Sequence, residues 1–254
     1  MRNSPPLLKF YTRGATKNVL ARSHISQNHN DRLETAGHFF CLTFSRHAVI
    51  YVVEKHRTIG EKMSEIIVSL EHPKLTKVYL RPLEKSDAER CCRWINDPEV
   101  RQFVSNQILP SLSQEEKWID SVNDNRNKGI DLAIVTKEKN IHIGVIGVAR
   151  IDWINRRGNT GALIGEKEYL GKGYGTEAKL LLLKHAFDTL GLEKICADVL
   201  STNPRSKAYL EKTGYKEEGC LRRHFLVNGK KVDAYVMALF REDFYPIWKK
   251  YTGE

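Results

Sequence analysis

Leu170-Gly171-Lys172-Gly173-Tyr174-Gly175-Thr176-Glu177-Ala178 places three glycines in five residues directly before a run of good helix formers. Glycine has no Cβ to block close approach and enters positive φ freely, so such a loop brings bare backbone N–H groups up to a ligand. The helix that follows adds unpaired N–H groups and the positive end of its dipole. Together they suit an anion of the phosphate or pyrophosphate type. The spacing is neither the G-x-G-x-x-G of a dinucleotide fold nor the G-x-x-x-x-G-K-[ST] of a P-loop, which disfavours both. The plain alternative is a strand-to-helix turn without a ligand.

A second cluster of polar residues follows in Asn203-Pro204-Arg205-Ser206, ahead of a short helix that contains Tyr209 and Leu210 and is stopped by Gly214. The cysteines offer less. Cys41, Cys91, Cys92, Cys196 and Cys220 form an odd set without C-x-x-C spacing or accompanying histidines. Reduced thiols and no metal site are expected.

The elements that must position these residues are legible from Lys77 onward. Val78–Leu83 reads as a strand ended at a proline. Ser86-Asp87-Ala88-Glu89 has capping-box spacing and opens a helix to about Ile95, which Asn96-Asp97-Pro98-Glu99 breaks. Ser113-Gln114-Glu115-Glu116 is a second such box, opening a helix with Trp118, Ile119 and Val122 on one face. Strands are predicted at 132–136, 143–151 and 162–165. After the glycine loop, Ala178, Leu181, Leu182, His185, Ala186 and Leu190 recur at helical spacing. Residues 194–201 are strand-like, 205–213 helical, and Asn228-Gly229 marks a hairpin whose returning strand is 233–239.

The order β-α-α-β-β-β-α-β-α-β-β over Lys77 to about Phe244, with the glycine loop in its place, resembles the GNAT superfamily of acetyl-CoA-dependent N-acetyltransferases. The loop resembles that family's [QR]-x-x-G-x-[GA] pattern, with Leu170 in place of Gln or Arg. Trp94-Ile95-Asn96-Asp97-Pro98-Glu99-Val100, then Asn203…Ser206, Leu210-Glu211-Lys212-Thr213-Gly214-Tyr215 and Glu218-Gly219-Cys220-Leu221-Arg222, resemble the branch that acetylates ribosomal-protein alanine and its spermidine- and antibiotic-acetylating relatives.

The resemblance implies an α+β three-layer fold, with a mixed, mostly antiparallel sheet and helices on both faces. Two strands splay apart to receive acetyl-CoA. It implies cofactor contacts from Leu163, Ile164 and Gly165, from Leu170, Gly171, Lys172, Gly173, Tyr174, Gly175 and Thr176, and from Asn203 and Ser206. A primary amine attacks the thioester directly, and the departing thiolate takes a proton. Many members keep a Tyr four residues before the Gly of the G-[FY] pair. Leu210 stands there, and Tyr209 is one residue away, turned by about 100° on a helix. Ser206 is the first candidate acid, with Tyr209 its competitor. For the base the family position is Asn159 or Thr160; Glu166, Glu168 and Asp152 lie near, and ordered water is a further route. Asp97, Glu99, Glu115 and Glu116 offer acidic lining for a polyamine, with a peptide N-terminus or an amino sugar equally open.

Of a formal charge of +10, six net charges fall before Met63, where ten basic residues meet four acidic ones. The rest is mildly basic, which is only a weak argument for nucleic acid, not an expected partner. Arg222-Arg223-His224 with Lys230-Lys231 supports that alternative weakly, and a non-catalytic acyl-CoA-binding module is the other. No apolar run reaches the ~18 residues of a membrane span. A cytoplasmic enzyme, monomer or homodimer, is expected. Residues 1–62 form a basic extension without sustained periodicity, read as a presequence, a partner-binding or disordered arm, or residues upstream of a true start at Met63. The last is favoured, with 63–254 as the acetyltransferase domain. Residues 47–53 read as a strand without an obvious partner.

Overall fold

The computed structural model describes residues 39–45, 48–53, 69–105, 107–124 and 127–254. β1 (Phe39–Ser45) and β2 (Ala48–Val53) pair antiparallel, so the strand expected near 47–53 has the partner the sequence did not show. The other expectations for residues 1–62 lie outside the described residues.

The elements that follow are β3 (Leu70–His72), β4 (Leu75–Pro82), α1 (Ala88–Asn96), α2 (Pro98–Arg101), α3 (Leu112–Asp124), β5 (Gly129–Thr136), β6 (His142–Asp152) and β7 (Arg157–Ile164). Then come α4 (Tyr174–Asp188), β8 (Lys194–Leu200), α5 (Pro204–Lys212), β9 (Lys216–Val227), β10 (Lys230–Phe240) and α6 (Arg241–Thr252). The order β3-β4-β5-β6-β7-β8-β10-β9 makes one open eight-stranded sheet, antiparallel except where β7 meets β8. A parallel pair needs a crossover, and α4 supplies it.

Two apolar layers sandwich this sheet. On one face, Leu180, Leu183 and Phe187 of α4, Leu210 of α5, and Phe244 and Trp248 of α6 pack on Leu80, Ile134, Ile146 and Val148. On the other, Ala88, Cys91 and Trp94 of α1 and Ile119 of α3 pack on Ala133 and Val135. Alternation along each strand serves both layers: Ile134 faces α4 while its neighbours Ala133 and Val135 face α1. The expected architecture is observed.

Local readings shifted in several places. The first predicted capping box does not form around Ser86; instead the Asp87 carboxylate accepts the Glu84 N–H at 2.9 Å. At α3 the box sits two residues early, with Ser111 N–H donating to Gln114 Oε1 at 2.8 Å and Gln114 N–H to Ser111 Oγ at 3.4 Å. Asn96–Glu99 does end α1, but Asp97 then caps α2, with Pro98 in the first turn. The Asn228-Gly229 turn has φ of 48° and 75°, the left-handed pair a tight hairpin needs. α6 was missed because Pro246 interrupts its pattern, yet Phe244 and Trp248 are core residues.

Candidate active site

β7 and β8 pair only at Arg157↔Lys194, Gly158↔Ile195 and Asn159↔Cys196. β7 then runs on to Ile164 against β6, while β8 runs on to Leu200 against β10. From Thr160 outward their facing edges are unpaired, so the sheet opens in a V. Unpaired edges are a template for a ligand that carries amides of its own.

The glycine loop stands at the open end. Gly171 and Gly173 have φ of 73° and 88°, which only glycine adopts without strain. The bond that closes the first turn of α4 runs from Glu177 N–H to Gly173 O at 3.1 Å. The N–H groups of Tyr174, Gly175 and Thr176 therefore have no acceptor inside the helix. A Cβ on Gly175 would lie 3.8 Å from Ile164 Cγ1, which ties this helix start to the last residue of β7. Beside it, Thr136, Lys139, Lys172 and Tyr174 line a pocket of about 160 Å³.

Not every expected contact survives. The Gly165 N–H donates to Ile143 O at 2.9 Å, so it is spent on β6 and not free for a cofactor. Strand alternation gives Leu163 the same direction and turns Ile164 and Ala162 toward the opening. Gly165 is glycine for another reason: a Cβ there would meet the Trp94 ring at 2.0 Å. Asn203 caps α5, its Oδ1 accepting the Ser206 N–H at 3.0 Å. Among the described residues the Ser206 hydroxyl, at the start of α5, forms no hydrogen bond. The Tyr209 hydroxyl donates to Gly175 O at 3.1 Å, and burial raises its pKa, so it braces the loop.

Several acidic candidates are neutralised by neighbours. Glu166 accepts from Arg93 Nη2 at 2.5 Å and from Trp94 Nε1 at 3.2 Å, which makes it a clamp between α1 and the segment after β7. Asp97 and Glu99 both hold Lys167 Nζ at 2.9 Å. Asp152 bonds Asn155 and lies 3.4 Å from Arg157. Asp87 is buried against Arg81, His142 and the Glu84 N–H; burial works against its ionisation, but these partners hold the carboxyl below the usual range. The thiol of Cys91 is pushed up to about 12 by burial, which removes it as a nucleophile.

Two groups that the sequence reading passed over have no ion pair among the described residues. Lys179, 1% exposed on α4, donates to Thr160 Oγ1 at 2.7 Å, and burial lowers its pKa to about 7. Asp131 on β5 lies over Gly147, and burial raises its pKa to about 6. The strand register puts Lys179 on Thr160 of β7, and Asp131 two strands from β7 in the row that ends at Gly161. Arg222, Arg223, His224, Lys230 and Lys231 are exposed on the outer β9–β10 hairpin, where charge also protects a free sheet edge. Among the described residues no helix is long and apolar enough to cross a membrane.

Residues 77–216 match the model of the acetyltransferase (GNAT) domain. An uncharacterized N-acetyltransferase p20 of Bacillus licheniformis is 30% identical over 170 residues, 66% of this chain and 95% of the relative. Spermidine N(1)-acetyltransferase of Vibrio cholerae is 25% identical over 170 residues, 66% of this chain and 96% of that protein. A crystal structure of spermidine N-acetyltransferase from Vibrio cholerae in complex with CoA and spermine superposes with a TM-score of 0.62 at 23% identity, covering 66% of this chain and 98% of that one. Splayed strands, a left-handed glycine loop with free helix amides, and a matching family model over more than half the chain agree: this protein belongs to the GNAT acetyltransferase family and is an acetyl-CoA-dependent N-acetyltransferase.

Proposed function

We propose that the chain moves the acetyl group of acetyl-CoA to a primary amine by direct attack, with both substrates bound together. The observation that carries this reading is the coincidence of two features. Pairing of β7 with β8 stops at Asn159↔Cys196, and the free amides of α4 stand at the open end of the same gap. Pyrophosphate suits Gly171–Thr176, with Lys172 beside it. Lys139 and Lys172 offer charge to the nucleotide end at the adjoining pocket. The pantetheine arm adds strand-like bonds to Ala162 and Ile164.

In the reaction the neutral amine nitrogen forms a C–N bond to the thioester carbonyl carbon. The C–S bond breaks, and the thiolate takes a proton. Ser206 supplies that proton in this reading, because its hydroxyl is uncommitted while Tyr209 is tied to Gly175. A backbone N–H of the β7 edge stabilises the oxyanion.

For the acceptor, spermidine is suggested by the relatives, but Asp97 and Glu99 are already occupied by Lys167. Glu115 keeps a carboxyl whose pKa is raised by burial. Release of free CoA, measured across spermidine, short peptides, aminoglycosides and nucleotide-linked amino sugars, tests the reading. Turnover with one amine class names the acceptor. Tight acetyl-CoA binding with no release across the panel returns the chain to a binding module, the alternative that Leu210, buried where a Tyr is usual, favours.

A further inference from the structure

Asp131, Gly147 and Gly161 are consecutive partners across β5, β6 and β7. Neighbouring strands lie about 4.8 Å apart, so this row leads from the carboxylate to the free edge of β7 in two steps. The side chain of Asp131 leans along it. Its Oδ1 stands 2.0 Å from where a Cβ on Gly147 would be, so the carboxylate covers the middle strand. Over Gly161 no atom lies within 4 Å of the Cβ position. The adjoining row, Leu163, Val145 and Ala133, is roofed by Trp94, Trp118 and Ile119. The roof ends one row short of Asp131, and Gly161 and Ala162 are exposed.

Asp131 is half-buried, and a carboxylate drawn that far from water normally finds a donor. This one has neither hydrogen bond nor ion pair among the described residues, while Asp87, Asp97, Asp152 and Glu166 all have theirs. We infer that Asp131 is the carboxylate that receives the acceptor's ammonium group over Gly161 and removes its proton. The proton passes from nitrogen to the Asp131 carboxylate, freeing the lone pair for attack at the edge of β7. The acceptor class is a primary amine that arrives charged and carries little bulk next to its nitrogen, since the floor is two glycines wide. The raised pKa, about 6, suits a base that must be ionised near neutral pH yet hold a proton briefly. This inference rests on the acetyl-transfer reading of the β7–β8 opening.

The test uses the full chain, acetyl-CoA, and whichever of spermidine, an alanine-initiated tripeptide or glucosamine releases CoA fastest. Asp131→Asn should lower kcat by about 10²–10⁴-fold and remove the acid limb of the kcat/KM profile near pH 6. Acetyl-CoA affinity, by calorimetry, should stay within about twofold of wild type, since the loop is untouched. Gly161→Val, which meets open space at Cβ, should fold and lose amine turnover while still binding acetyl-CoA. Asp131→Asn with wild-type kcat and the same acid limb overturns the inference and leaves the acetyl-transfer reading standing. If wild type binds acetyl-CoA but acetylates none of the three amines, the Asp131 carboxyl is followed by ¹³C NMR with ethylamine as probe. A drop in its titration midpoint supports the ammonium site, and an unmoved midpoint overturns it. Failure of wild type to bind acetyl-CoA instead refutes the underlying reading.

Discussion

The two faces of the sheet treat an ionisable group that has no ion pair in opposite ways. Toward α4, Lys179 is sealed between the sheet and the rings of Tyr209 and Tyr215, 5.6 and 5.8 Å away, with Thr160 Oγ1 as its hydrogen-bond acceptor. Toward α1 and α3, Asp131 sits one row beyond the helical roof, beside an open glycine floor. Burial works against the charge of each, lowering the Lys179 pKa to about 7 and raising that of Asp131 to about 6. The difference is access. A sealed group settles the conflict by losing its charge at a lower pH, whereas an accessible one can settle it with a ligand. On this view the α4 face carries structure and cofactor, and the α1/α3 face carries the acceptor.

The largest expected effect tests where the leaving group's proton comes from. Ser206→Ala should lower kcat by about 10²–10⁴-fold, with acetyl-CoA affinity nearly intact. Tyr209→Phe should cost only ~1 kcal/mol of stability, because its hydroxyl gives up one bond to Gly175 O. Single-turnover release of CoA separates the two. If Tyr209→Phe stops turnover and Ser206→Ala does not, the acid lies deep in the α4 face, and the division between the faces fails there.

Next in size is Lys179→Met. Between pH 7 and 10.5 the unfolded chain holds the lysine proton and the folded chain has lost it, so stability rises with pH across this window. Below about pH 7 the folded protein must take up the proton as well, and the penalty is complete. Removing the amine should therefore stabilise the protein at pH 7 by roughly 3 kcal/mol, after allowing for the lost bond to Thr160. Urea unfolding at pH 7 and 9.5 should show the wild-type rise and a flat mutant. A sealed group also predicts a change in kcat of only a few fold. Loss of more than a hundredfold in kcat, at unchanged acetyl-CoA affinity, would make Lys179 part of the chemistry and break the comparison.

What was legible in the sequence follows from how local each cause is. The glycine loop is local: φ values, free amides and the helix start are set within residues 171–177, and the motif announced them. The Asn228-Gly229 hairpin is local in the same sense. Gly165 was misassigned because its N–H is taken by Ile143 O, from a strand twenty-two residues earlier in the chain. Asp131 and Lys179 were passed over because nothing near them in sequence marks them. One needs the β5–β6–β7 register to find its glycine floor, and the other needs α4 turned by the crossover onto Thr160. The acidic residues near Lys167 failed in reverse, looking free in sequence and being paired in space.

The smallest predicted effect concerns the anchor shared by both faces. Gly173→Val should weaken acetyl-CoA binding at least tenfold, which corresponds to about 1.4 kcal/mol. Crowding is not the cause, since a Cβ would meet only Lys77 Cε at 3.6 Å, an ordinary contact. The cause is φ of 88°, a region that costs a β-branched residue roughly 1–2 kcal/mol. Valine relieves that strain by moving the loop. The movement displaces Gly173 O, which holds the first turn of α4 through Glu177 N–H, and so re-aims the three free amides. Gly219→Ala, placed in open space on β9 with no left-handed backbone, is the control and should bind as wild type. Calorimetry of acetyl-CoA against the three proteins reads the difference directly. Equal affinity in a folded Gly173→Val would place the pyrophosphate elsewhere. Asp131 and Lys179 would then lie on opposite faces of a sheet that holds no cofactor at its opening, and the contrast between them would be one of burial alone.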